Sequence, residues 1–134
     1  MQRIEALACA IAHEYDAFNP SSEAFSTLNP MMLRSYSLER LNVVNETGTR
    51  VFKSFHAGWR AGVANLEAKC SGKTRATGDN GQLTPDSTLK DLVKTFRYVQ
   101  PRKVVEFLQD ALEDRAISET CPLRYFLEGT NNGH

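Results

Sequence analysis

The chain has 134 residues and a mass of 15.0 kDa, enough for one domain that buries a sizeable core without disulfide staples. Hydrophobic residues make up 41% and charged residues 24%, and 8 Gly with 5 Pro exclude a low-complexity or collagen-like chain. Lysines and arginines (16) balance aspartates and glutamates (16), with a pI of ≈ 6.8, which argues against a main role in coating nucleic acid or an anionic membrane.

The first predicted element is an amphipathic helix. Ile4, Leu7, Ala8, Ile11, Tyr15 and Phe18 follow the i, i+3, i+4, i+7 rhythm of one apolar face, and Asn19-Pro20 ends it because the residue before proline is pushed out of the helical region. A mixed stretch runs to Leu33, broken by Asn29-Pro30. Leu41 to Val44 and Thr49 to Phe52, rich in β-branched residues, flank Asn45-Glu46-Thr47-Gly48 and read as a β-hairpin. A second helix runs from about His56 to Cys70, with Trp59, Val63, Leu66 and Cys70 on one stripe. Gly58 and Gly62 lower its propensity and mark places where another backbone comes close. Ala76 to Gln82 reads as a polar, mobile loop. Thr88 caps a short helix carrying Leu89, Leu92, Val93 and Phe96, with Asp91 at the reciprocal position of a capping box. Pro101 suits the first turn of a further helix through Leu112, and Thr120-Cys121-Pro122 caps a last turn with Leu123, Tyr125 and Phe126. The pattern predicts one mainly helical α+β domain over residues 1–128, with a central hairpin packed on about five helices and a frayed tail over 129–134.

Charge is unevenly spread along this order. Residues 1–33 carry one basic and four acidic groups, 34–75 carry eight and three, and 76–134 carry seven and nine, so the middle third presents a basic face to an acidic partner or folds against its acidic neighbours. No apolar run approaches the roughly 20 residues that cross a bilayer, and Met1 to Glu5 lacks a signal-peptide core, so a cytoplasmic protein with no membrane association is expected. Cys9, Cys70 and Cys121 are an odd, widely spaced set without a CxxC pair, which suits small buried thiols in a reducing compartment. Cys9 and His13 share a helix face, but no second pair completes a metal site, so no metal and no cofactor are expected.

Most short motifs dissolve on inspection. Gly72-Lys73-Thr74 resembles the end of a phosphate loop, yet Glu67 stands where that loop needs its first glycine, and a helix precedes it. Asn45-Glu46-Thr47 is a formal glycosylation acceptor in a predicted hairpin turn. No activated serine or cysteine motif is present. The carboxylates of Glu14 and Asp16 sit at the end of the first helix, where the negative pole of the helix disfavours the charged form. A carboxyl so placed suits a general acid for glycoside hydrolysis or, equally, a solvated helix end.

Several stretches together resemble the small lysozyme-like proteins of bacteriophages and prophages. These are Ala10-Ile11-Ala12 before the carboxylates, Asn29-Pro30 with Leu33-Arg34, Phe52 to Phe55, Gly58-Trp59-Arg60, Cys70 to Arg75, Thr84 to Leu89, and Thr120 to Leu123. The resemblance implies a lysozyme-like fold and a peptidoglycan glycosidase. Glu14 would then be the general acid, Glu39 or Glu46 the second carboxylate, and Asn29, Arg34 and Tyr36 would contact the sugar, with Trp59 as a further candidate. The family's Pro-Gly-Asn is replaced by Pro30-Met31-Met32, and an ungapped count places Tyr15 where the family has its glutamate. Those departures motivate the alternative that the fold has lost catalysis and binds a host protein inside the cell through Met31 and Met32, as a phage counter-defence inhibitor does. Nucleic acid is the weakest partner class, resting on the basic middle third with Lys94, Arg97, Arg102 and Lys103.

Overall fold

Helix ends, rather than helix faces, set the layout of this chain. The computed structural model describes residues 2–34, 43–44, 48–78 and 81–129. Its first helix, α1 (Arg3–Glu14), stops four residues earlier than the apolar rhythm suggests. Asp16 takes a left-handed conformation (φ 56), and the chain closes with Asp16 N–H on the His13 carbonyl and Ala17 N–H on the Ala12 carbonyl. That pair of bonds is the Schellman ending, normally built on glycine; an aspartate tolerates the same backbone better than most residues do. It swings Phe18 out of the core to 52% exposure.

The next helix, α2 (Glu23–Ser26), starts on a Ser22 cap and ends the same way, with Leu28 left-handed (φ 54) and Asn29 N–H returning to the Ala24 carbonyl. The predicted hairpin is present as β1 (Val43–Val44) and β2 (Arg50–Val51), antiparallel, with Val43 opposite Val51 and Val44 opposite Arg50. Its far edge is extended by Arg34 bridging Thr49 and by Arg50 N–H on the Leu33 carbonyl. The long helix α3 (Phe55–Cys70) is capped by Ser54, whose hydroxyl accepts from Ala57 N–H.

After α3, the loop expected to be polar and mobile holds a second small ribbon, β3 (Thr77–Gly78) with β4 (Gly81–Gln82). Its residues are too polar for alternation to reveal a strand, and the side chain of buried Asp91 lies against Gly78. Helix α4 (Leu89–Val93) has both bonds of its capping box, so aspartate substitutes for the usual glutamate. Helix α5 (Pro101–Ala111) has proline in its first turn as predicted, and α6 (Arg124–Leu127) is a single turn. The α6 entry is held by backbone, with Leu123 N–H on Ser87 O and Arg124 N–H on Pro85 O, instead of by the expected Thr120 cap.

α1 is the central element, packing on α5, α3 and α6. Its Ala6, Leu7, Ala10 and Ile11 meet Leu66, Leu92, Leu108 and Phe126 in one core. The fold is thus mainly helical α+β with six helices among the described residues. Of the tail, Gly129 accepts Arg3 N–H through its carbonyl; residues 130–134 lie outside the described residues. No described helix is long and apolar enough to cross a membrane.

Candidate functional site

A cleft with a volume of ≈ 750 Å³ opens between the turn after α1, the α2–β2 edge, α3 and the turn after α4. The α1 ending delivers Tyr15 to one wall. The left-handed turn at Met32 (φ 52) and the Arg34–Thr49 bridge bring Arg34 and Arg50 to another. Helix α3 supplies Ala61, Asn65 and Lys69, three positions one turn apart on a single face, and Phe96 and Arg97 close the opposite side.

Among the described residues, cations outnumber carboxylates around this space. Arg34, Arg50, Lys69 and Arg97 line it together with one acidic side chain, Glu23, whose Oε2 accepts from the buried Thr49 hydroxyl at 2.6 Å. Burial pushes the Tyr15 phenol well above its ordinary range against the opposing pull of Arg97, so the ring presents a neutral hydroxyl. Lys69 is 9% exposed; its Nζ donates to Thr95 Oγ1 at 2.9 Å and sits 3.9 Å from the centre of the Phe96 ring. Burial lowers its pKa from 10.5 to about 8, only partly offset by Cys70. One turn earlier, the buried Oδ1 of Asn65 has no hydrogen-bond partner among the described residues.

The residues singled out from sequence are distributed differently. Glu14 does not line the cleft: its Oε1 accepts Gln100 N–H at 3.2 Å, tying the end of α1 to the start of α5. The same helix ending that turns Tyr15 inward leaves the preceding side chain beside α5, as expected from the ~100° step between helix neighbours. Asn29 is fully buried and is not available to a ligand. Its Nδ2 donates to the carbonyls of Leu33 (2.8 Å) and Arg50 (2.9 Å), and its Oδ1 accepts Leu33 N–H (2.9 Å). Met31 is packed on Gly62 with no exposed surface and forms part of the cleft floor, and the partly exposed Met32 lines the same cleft. Arg34 lines the cleft, whereas Tyr36, Glu39 and Glu46 lie outside the described residues.

Trp59 lies on another side of α3. It stacks on Phe55 (6.5 Å, 13°) and lines a second cleft of ≈ 650 Å³ with Ile4, Glu5, His56 and Arg60. Burial raises the Cys9 and Cys121 thiols above their ordinary value and pushes Cys70 up to about 12, so all three stay protonated at neutral pH. Among the described residues no three His, Cys, Asp or Glu side chains gather as metal ligands.

Sequence reasoning passed over Glu23, Asn65 and Lys69. Only the last two left a signal, a polar pair at i, i+4 beside the apolar positions Leu66 and Cys70. No family model, curated protein or solved structure matches the chain.

Proposed function

We propose that this protein binds peptidoglycan glycan in the ≈ 750 Å³ cleft and that Glu14 is not the acid of a glycosidase. The observation that carries the reading is the lining itself. The half-buried Tyr15 offers a ring for the apolar side of a sugar, while the Arg34, Arg50, Arg97 and Glu23 side chains offer the planar donors and acceptor that hydroxyl and acidic substituents need. The lysozyme-like resemblance supports the choice of glycan. Hydrolysis requires two carboxyl groups flanking the scissile bond, and Glu23 is the only carboxylate among the described cleft residues.

The test is co-sedimentation with purified peptidoglycan sacculi, run beside an assay for released reducing ends. The proposal expects binding that is weakened by Arg34→Ala and Arg97→Ala and unchanged by Glu14→Gln. Release of reducing ends that is abolished by Glu14→Gln would overturn it.

A second reading, an inactive fold that binds a host protein, is favoured by one specific feature. Tyr98 stands at the cleft rim, 90% exposed and with a left-handed backbone (φ 65), a strained presentation of a side chain common in protein interfaces. A photo-cross-linking residue at position 98 distinguishes the two. One defined protein adduct together with no sacculus binding supports the second reading, and sacculus binding without an adduct rejects it.

A further inference from the structure

Within the cleft, the α3 wall carries an ammonium without a carboxylate and an amide oxygen without a donor among the described residues. Lys69 holds an ammonium that is 9% exposed, with a hydroxyl and a ring face as its contacts and no carboxylate beside it among the described residues. A buried cation is normally paired. Asn65 holds a buried amide oxygen that accepts nothing among the described residues, where buried acceptors nearly always have a donor. The two residues are at i and i+4 on α3, so their Cβ atoms stand about 5–6 Å apart, and both line the same cleft. One occupant satisfies both when it combines a negative group for Lys69 with a donor for Asn65 on the next atom.

We propose that the Asn65–Lys69 wall is a subsite for a carboxylate whose neighbouring carbon bears an N–H or O–H donor. That group occurs in N-acylated amino acids, peptide C-termini included, and in 2-hydroxy acids. The carboxylate accepts from Lys69 Nζ, and the adjacent donor satisfies Asn65 Oδ1. Thr95 keeps the ammonium in place: its hydroxyl donates to the Leu92 carbonyl (2.7 Å), which leaves a lone pair directed to Lys69. Arg97 adds positive charge at the cleft mouth. The inference rests on the reading of the cleft as a ligand site and names the group read at its inner wall.

The experiment is an NMR titration of the full ¹⁵N-labelled chain with four small probes: N-acetylglycine, lactate, acetate and N-acetylglycinamide. N-Acetylglycine and lactate carry both features, acetate lacks the donor and N-acetylglycinamide lacks the charge. Expected are shifts at Asn65 and Lys69, with acetate weaker by about fivefold and N-acetylglycinamide by about tenfold or more. The ratio of N-acetylglycine to lactate affinity assigns the peptide or the hydroxy-acid source. Lys69→Met weakens both acids by about tenfold, and Asn65→Ala reduces N-acetylglycine to the level of acetate while leaving acetate itself unchanged.

Equal affinity for all four probes, unchanged affinity in Lys69→Met, or no shift at the two residues by about 50 mM ligand overturns the subsite. Sacculus binding with no response to the acids overturns the subsite alone. Acid binding without sacculus binding overturns the glycan reading alone.

Discussion

Lys69 gives the sharpest test of the packing because its burial has a defined energetic sign. The ammonium lies 9% exposed in the α3 wall, and burial lowers its pKa from 10.5 to about 8. That difference corresponds to about 3 kcal/mol by which the folded state disfavours the charged lysine. Below pH 8 both states carry the proton and the whole cost is present. Between pH 8 and 10.5 the folded lysine is neutral while the unfolded one still binds a proton, so stability rises with pH. Above 10.5 both are neutral and the cost is gone.

Lys69→Met keeps a flexible apolar chain against Phe96 and removes the charge. It also removes the hydrogen bond to Thr95, worth about 1 kcal/mol, while the Thr95 hydroxyl keeps its bond to the Leu92 carbonyl. The variant is therefore expected to be more stable than wild type by about 2 kcal/mol at pH 7, and to lose that advantage by about pH 10. Cys70, whose pKa is raised by burial to about 12, titrates in the opposite sense; Lys69 holds that value down, so the variant raises it further, and the folded thiol stays protonated at pH 7 and pH 10 in both proteins. Urea unfolding followed by circular dichroism at pH 7 and pH 10 provides the four free energies. A wild-type-minus-variant difference that stays constant with pH, or a variant less stable at pH 7, would refute the reasoning.

Four further variants test other contacts of the fold. Gly58→Ala places a methyl group on the Leu28 carbonyl and 3.1 Å from Pro30 Cδ, so it should cost about 3 kcal/mol in urea unfolding despite a better helix former. Gly62→Ala meets only the Met31 thioether, 2.5 Å from its sulfur, and should cost less, because that side chain can move. Asn29→Ala leaves the Leu33 N–H and the carbonyls of Leu33 and Arg50 without their side-chain partner, and should lower stability by about 3 kcal/mol in thermal or urea melts. Glu14→Gln retains an oxygen for Gln100 N–H; it should change stability by less than about 0.5 kcal/mol and leave sacculus binding at the wild-type level.

Much of the architecture was legible from periodicity and punctuation. The stripe of α1 as far as Ile11, the Pro101 start of α5, the capping residues of α4 and the Val43–Val51 hairpin are local signals, and each is found where the sequence places it; Tyr15 and Phe18 fall beyond the helix end. What the sequence concealed was the conformation of single residues. Asp16, Leu28 and Met32 take left-handed backbones without glycine, and they decide that Tyr15 instead of Glu14 enters the cleft, and that Met31 is fully buried at its floor while Met32 is partly exposed. Asn29 reads as a polar loop residue open to a sugar, yet its amide knits two backbone segments 21 residues apart, from Asn29 to Arg50. Lys69 and Asn65 were masked by the habit of reading polar helix positions as solvent-facing, which holds for most lysines but not for one flanked by Leu66 and Cys70.

The central claim is that the cleft lined by Tyr15, Arg34, Asn65, Lys69 and Arg97 is where a glycan binds. Its most direct measurement is a ¹H–¹⁵N NMR titration of the chain with a soluble peptidoglycan fragment carrying its acidic substituents. The account predicts saturable shifts that map to these five residues and leave Glu14 and the Trp59 cleft unchanged. Shifts centred on Ile4, His56 and Trp59, or no saturable shift at all, would contradict it.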